Sequence, residues 1–371
     1  MQLLNNGSDP LTVNADGSFT FATQLAAGSP YNVTVGTQPA GASCSVSAGS
    51  GTVAGAVSSV AVTCSPVLMK NIALFLDSVS GTILTYAYDA ASGLLTPLAG
   101  PDVSSGAGAN HILVDASATH AYTLTPGNST GAPPRLAAFT IGLGGVLTAN
   151  GVQTLTSNAL DATLDVAGDT MYVLQAPVGA GQAATIMTYP IDQNTGVINA
   201  RVGSAAEVPS TADLLYRNPV ADYLYVIDRG TDPTKPGTVT AYAIGANSTN
   251  ATTKQPTAVG VGVATGIHPT AMAIMPGGKF AYILNNIDET VSIYTVRSDG
   301  SLAPLSAGSP FGLPIVSPQT ASLSAMTMDP NGQYLYINDS ANNAVYQLKI
   351  NQTDGTLSAL SVPSVWLILS W

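Results

Sequence analysis

The chain has 371 residues, of which 8% are charged, and a formal net charge of −11. About a quarter of residues are charged in an ordinary soluble protein, so Gly, Ala, Ser, Thr, Asn and Pro carry the difference here. Ten scattered Lys and Arg residues cannot build a phosphate-tracking surface, which argues against nucleic acid and disfavours a phosphorylated substrate. No run approaches the roughly 20 apolar residues that span a bilayer, and the terminal Trp366-Leu367-Ile368-Leu369-Ser370-Trp371 is far too short. Met1-Gln2-Leu3-Leu4-Asn5 lacks the basic start and long apolar stretch of a signal peptide, so a secretion leader is expected outside this chain.

Residues 1–65 alternate apolar and polar in short runs, as in Leu11-Thr12-Val13, Phe19-Thr20-Phe21 and Tyr31-Asn32-Val33-Thr34-Val35. Turn signals at Asp16-Gly17 and Pro39-Ala40-Gly41 separate them, a pattern that predicts a small antiparallel sandwich. Cys44 and Cys64, the two cysteines, lie in strand-like runs joined by a Gly/Ser-rich turn. A cross-strand disulfide between them implies an oxidising compartment, and a pair of buried free thiols is the alternative. From Leu4-Asn5-Asn6-Gly7 through Gly17-Ser18-Phe19-Thr20-Phe21 and Gln38-Pro39-Ala40-Gly41 to the cysteines, the segment resembles an Ig-like module of bacterial secreted and surface proteins. The resemblance implies a spacer, here without the module's first strand.

Beyond residue 65 a period emerges. Strands built on Phe75, Tyr122, Tyr172, Tyr225, Tyr282 and Tyr336 recur at 47, 50, 53, 57 and 54 residues. Each is followed by a second strand, such as Ile83-Leu84-Thr85-Tyr86 or Val291-Ser292-Ile293-Tyr294, and most then by a Gly turn such as Ser92-Gly93-Leu94. Later units have a further strand upstream, as in Met326-Thr327-Met328 before Asp329-Pro330-Asn331-Gly332. Four short strands per roughly 50 residues predict an all-β fold, a β-propeller of four-stranded blades spanning 66–371. Strands sandwiched between neighbouring blades are apolar on both faces, which one unit alone could never bury. Six units are visible. The first lacks its upstream strand, and Val365-Trp366-Leu367-Ile368-Leu369 is expected to supply it.

The motifs Asp329-Pro330-Asn331-Gly332…Tyr336-Ile337-Asn338 and Tyr282-Ile283-Leu284-Asn285…Val291-Ser292-Ile293-Tyr294…Asp299-Gly300-Ser301-Leu302 resemble the YVTN-type repeats of bacterial lactonase-like β-propellers. That family is usually seven-bladed and includes propeller-type 6-phosphogluconolactonases. The resemblance covers about 300 residues, and its repeats record blade packing rather than activity.

Propeller ligands sit at the channel mouth, where inner strands begin. His111 in Asn110-His111-Ile112 and His268 in Ile267-His268-Pro269 lie at such positions, and the second matches a His-Pro of the lactonase-like family. Either could serve as base or oxyanion donor in lactone opening, with Arg217 as an added cation. The simpler role for either histidine is capping a strand start through a backbone bond. Asp77, Asp228, Asn285 and Asn338 recur near strand ends and are expected to cap turns. Asp228-Arg229-Gly230, where acid and base adjoin, is a candidate binding position. No metal or cofactor motif is present. The composition favours an extracytoplasmic monomer whose channel mouth binds a small molecule, a carbohydrate or a surface protein. The alternative is a hydrolase opening a neutral, non-phosphorylated lactone with base-activated water.

Overall fold

The computed structural model describes residues 1–39, 42–66, 71–89, 92, 94–98, 102–127, 133–245, 254–315 and 321–360. The described chain is almost wholly strand, and it divides into two compact units. One comprises residues 1–112, 118–121 and 139–149; the other comprises 113–117, 122–138 and 150–371.

In the first unit, β1 (Gln2–Asn5), β2 (Asp9–Thr12), β3 (Pro30–Thr37) and β5 (Ser50–Thr52) form a sheet in the order β2-β1-β3-β5. β4 (Ala42–Ser47) pairs with β6 (Ala61–Pro66), and Cys44 faces Cys64 across that pair in a disulfide. Phe19-Thr20-Phe21, expected as a strand, is none. Its two rings instead stack edge to face at 6.2 Å, and both line an open cleft of about 1130 Å³ with Tyr31, Val33 and Val62. Two glycines in the left-handed range, Gly17 and Gly28, bracket the segment and break its extended run. The same unit holds a sheet of β7 (Ile72–Asp77), β8 (Thr82–Tyr88), β9 (Leu95–Pro97) and β10 (Val103–Ser104), with β8 pairing β7, β9 and β10. Among the described residues β7 pairs with β8 alone. The segment expected to supply the first repeat's upstream strand, 365–369, lies outside the described residues.

The repeat then holds. β11 (His111–Val114), β12 (His120–Thr125), β13 (Arg135–Ile141) and β14 (Leu147–Thr154) form one sheet in chain order, whose residues fall in both units. The next three sheets belong wholly to the second unit. They are β15 (Ala159–Leu164), β16 (Thr170–Gln175), β17 (Ala184–Pro190) and β18 (Val202–Val208); then β19 (Ala212–Arg217), β20 (Tyr223–Asp228), β21 (Pro236–Ala243) and β22 (Thr257–Ile267). After them come β23 (Pro269–Ile274), β24 (Phe280–Asn285), β25 (Thr290–Val296) and β26 (Leu302–Pro304), with β27 (Phe311–Gly312) also on β25. The last blade is β28 (Leu323–Met328), β29 (Tyr334–Asp339), β30 (Ala344–Ile350) and β31 (Leu357–Ala359). Every residue of β12, β16 and β24 is buried, as strands covered on both faces must be. Each seam within the second unit carries its own apolar cluster, such as Tyr282, Leu284 and Ile293 against Leu335, Ile337 and Leu348.

The repeat's tyrosines fasten those seams. The hydroxyls of Tyr172, Tyr225 and Tyr282 donate to the carbonyls of Lys254 (3.0 Å), Gly300 (3.1 Å) and Gly355 (3.0 Å), each in the hairpin turn before the last strand of the following blade. Those three residues have positive φ. Gly300 and Gly355 also lie flat on Tyr223 and Phe280, where an added Cβ would come within 2.2 and 2.5 Å of ring carbons. The recurring Asp-Gly turn therefore exists to let the backbone touch the neighbouring blade.

Register corrects one expected alignment. β7, β12, β16, β20, β24 and β29 are all six residues long, and their third residues are Leu74, Tyr122, Tyr172, Tyr225, Tyr282 and Tyr336. Leu74, not Phe75, is thus the first anchor. Phe75 is 45% exposed and stacks edge to face on Tyr86.

Candidate active site at the inner strands

β15, β19, β23 and β28, the first strands of four successive blades, lie side by side. Each pairs with its neighbour through a register shift at the same place: between Ala159 and Asp161, Ala212 and Leu214, Pro269 and Ala271, and Leu323 and Ala325. The second residue of every inner strand is therefore bulged out of the ladder. A bulge bends the strand and re-aims a side chain, here that of Leu160, Asp213, Thr270 or Ser324. Two of the four positions carry a buried polar atom with no hydrogen-bond partner, Asp213 Oδ1 and Thr270 Oγ1. A third such atom, His268 Nδ1, lies two residues before Thr270 on a residue with φ of 57°.

Arg229 joins these positions. Its Nε donates to the Pro269 carbonyl at 2.9 Å and lies 2.9 Å from Asp213 Oδ2 in an ion pair. The next blade shows why an arginine stands here. Its counterpart Asn286 accepts from the Leu323 N–H at 2.6 Å, but Pro269 has no N–H, so the clip must donate to a carbonyl instead. That structural duty occupies Nε and leaves the two Nη groups without a protein bond among the described residues. Burial, with lesser pushes from Asp228 and Asp161, outweighs the pull of Arg229 and raises Asp213 to about 6. Burial and the charge of Arg229 lower the His268 imidazole, holding it neutral at pH 7. The arrangement offers a carboxylate with one oxygen ion-paired and the other buried without a hydrogen-bond partner, a cation, a neutral imidazole and a hydroxyl.

Of the residues singled out in the sequence, His268, Arg229 and Asp228 lie here, Arg217 does not, and His111 belongs to the other unit. Arg217 sits at the far end of β19, opposite Leu224, roughly 16 Å along the strand from Ala212. Asp228 is a cap: its Oδ1 accepts from Gly230 N at 2.9 Å and Thr211 Oγ1 at 2.5 Å. His111 belongs to the first unit, half-buried, with Nδ1 2.9 Å from Asn110 Oδ1. Asp77 caps its turn as expected, through Val79 N, whereas Asn285 accepts from Gly266 N, 19 residues upstream on β22, and so ties two blades rather than capping its own turn. Asn338 does not: it is exposed, and Asp339, the true end of β29, caps in its place. Asp213 and Thr270 escaped the sequence reading, although a carboxylate inside the apolar run Ala212-Asp213-Leu214-Leu215 is a signal. Among the described residues no group of three or more His, Cys, Asp or Glu could hold a metal ion.

The family model "Lactonase, 7-bladed beta-propeller" matches residues 260–365, which include His268 and Thr270. No curated protein matches the chain. Among solved structures, a periplasmic gluconolactonase of Pseudomonas aeruginosa is 17% identical with a TM-score of 0.63, over 80% of this chain and 82% of that one. A functionally unknown protein of Desulfotomaculum acetoxidans is 14% identical with a TM-score of 0.59, over 78% and 79%. A protein of Bacteroides fragilis described as a candidate 6-phosphogluconolactonase is 20% identical with a TM-score of 0.58, over 78% and 79%.

Proposed function

For a chain that is a lactonase-like β-propeller, we propose a hydrolase that opens a neutral lactone with water activated by Asp213. The carrying observation is the pair of Asp213 oxygens: Arg229 fixes Oδ2, while Oδ1 is buried with no protein partner. In the reaction Oδ1 takes a proton from water as the water oxygen attacks the ring carbonyl. The Nη groups of Arg229 donate to the oxyanion that forms. Collapse breaks the ring C–O bond, and the proton on Asp213 passes to the leaving alkoxide, giving a hydroxy acid. His268 Nδ1 and Thr270 Oγ1 hold hydroxyls of the substrate. The one cation of the group is paired with Asp213, so nothing in it is left to balance a phosphate.

The family match and the gluconolactonase neighbour favour this reading over a channel-mouth binding module. Residues 1–65 then serve as an Ig-like spacer before a propeller spanning 66–371, and the disulfide and the periplasmic neighbour favour an extracytoplasmic location. The test is hydrolysis of glucono-δ-lactone, its 6-phosphate and an unsubstituted γ-lactone by the protein and Asp213→Asn. The neutral lactones are expected to open, with kcat/KM at least about 100-fold lower in the variant. Equal rates in both would remove Asp213 from the reaction. Calorimetric binding without turnover would restore the binding module.

A further inference from the structure

Asp161 lies on β15, in the blade before Asp213, and is 7% exposed. It is the residue just past the bulge of its own strand. Its Oδ1 accepts from Ala162 N at 2.7 Å, and its Oδ2 reaches across the seam to accept from Leu215 N at 2.7 Å. Leu215 is two residues beyond Asp213 on β19, so a buried carboxylate of one blade holds the inner strand that carries the proposed base of the next.

We infer that Asp161 is a positioning residue that holds β19 in register across the seam and adds its charge to the surroundings of Asp213. The inference rests on the reading of Asp213 as the base. The seam bond fixes where the bulge projects Asp213. The groups facing Asp213 are the Arg229 guanidinium, which favours its charged form, and the carboxylates of Asp228 and Asp161, which oppose it. Asp228 belongs to the same blade as Asp213, so Asp161 is the carboxylate contributed from a different blade. A seam that shifts therefore changes both the direction and the proton affinity of the base.

The experiment follows the Asp213 side-chain carboxyl by carbon NMR against pH in the protein and in Asp161→Asn, with Asp213→Asn giving the assignment. Asp161→Glu serves as the charge-keeping control. Asp161→Asn is expected to lower the Asp213 midpoint by about half a pH unit, and Asp161→Glu to restore most of that shift. The acid limb of lactone hydrolysis should move by the same amount. A purely structural role would lower the rate at every pH and leave the midpoint in place. An unchanged midpoint in folded Asp161→Asn overturns the inference; if that variant does not fold, Asp161→Ser carries the same comparison. A shifted midpoint in a protein that opens no lactone supports the coupling and removes the hydrolase. Hydrolysis with an acid limb that Asp161→Asn does not move does the reverse.

Discussion

Asp339 is fully buried, and its two oxygens accept from five donors: the N–H groups of Ser322, Ala341 and Asn342, the Asn342 amide and the Tyr346 hydroxyl. Burial pushes its pKa up, but the bonds from Asn342, Ser322 and Tyr346 together outweigh it and hold the carboxyl below its usual value. A carboxyl lowered in the folded state stabilises the protein above the ordinary carboxylate range and loses that contribution as pH falls through the lowered value. Asp339→Ala should therefore cost about 3 kcal/mol at pH 7, read from denaturant melts, with the gap to wild type narrowing below about pH 4. Asp213 has the opposite sign. Its raised value gives a rate that climbs as pH passes about 6, where the carboxylate forms. His268→Ala should weaken substrate binding and leave that limb in place, as a KM-against-kcat comparison would read. At this scale the sequence was half legible. His268 announced itself beside a proline, and Asp77 and Asp228 as turn caps. Asp213 was hidden because a bulge, which no periodicity reveals, turns an apparently ordinary strand residue into a projecting one.

The turn glycines and the tyrosines belong to one device. Gly300→Ala would place a methyl against the Tyr223 ring at a φ of 81°, which costs about 1–3 kcal/mol and should lower Tm with no change in the site. Lys254 stands in the corresponding turn with the same left-handed backbone, and its ammonium bonds both Asp165, at 3.0 Å, and Asp169. Lys254→Met leaves two carboxylates facing each other. It should cost about 1–2 kcal/mol at pH 7, with the difference shrinking in acid as the carboxylates protonate. The elements were the most legible level. Six strands of equal length, each with an aromatic or leucine third, follow from a period of apolar residues visible in the chain itself. One aromatic misled: Phe75 has the right chemistry but the wrong register, and alignment by residue type slips where alignment by strand length does not.

For the molecule as a whole, the disulfide confines stabilisation to the first unit. Cys44 and Cys64 close a loop of 20 residues, a constraint worth about 3 kcal/mol. Reductant should destabilise residues 1–66 selectively, with hydrogen exchange across the sheets of the second unit unchanged. The all-β class and the four-stranded blades were open to sequence reading because low charge, dense turns and repetition are global properties. The chemistry was not, because it depends on which side chains adjacent blades bring together. The tyrosine fastenings also set an order of events during synthesis. Each runs forward along the chain, by 82, 75 and 73 residues, from one blade to a turn in the next. A ribosome that has released Leu302 has already delivered both ends of the Tyr225 bond and the apolar cluster of that seam. The blades of the second unit can thus be added one at a time as they emerge, each waiting only for its successor's hairpin, so that long-range order grows through contacts of modest and nearly constant span.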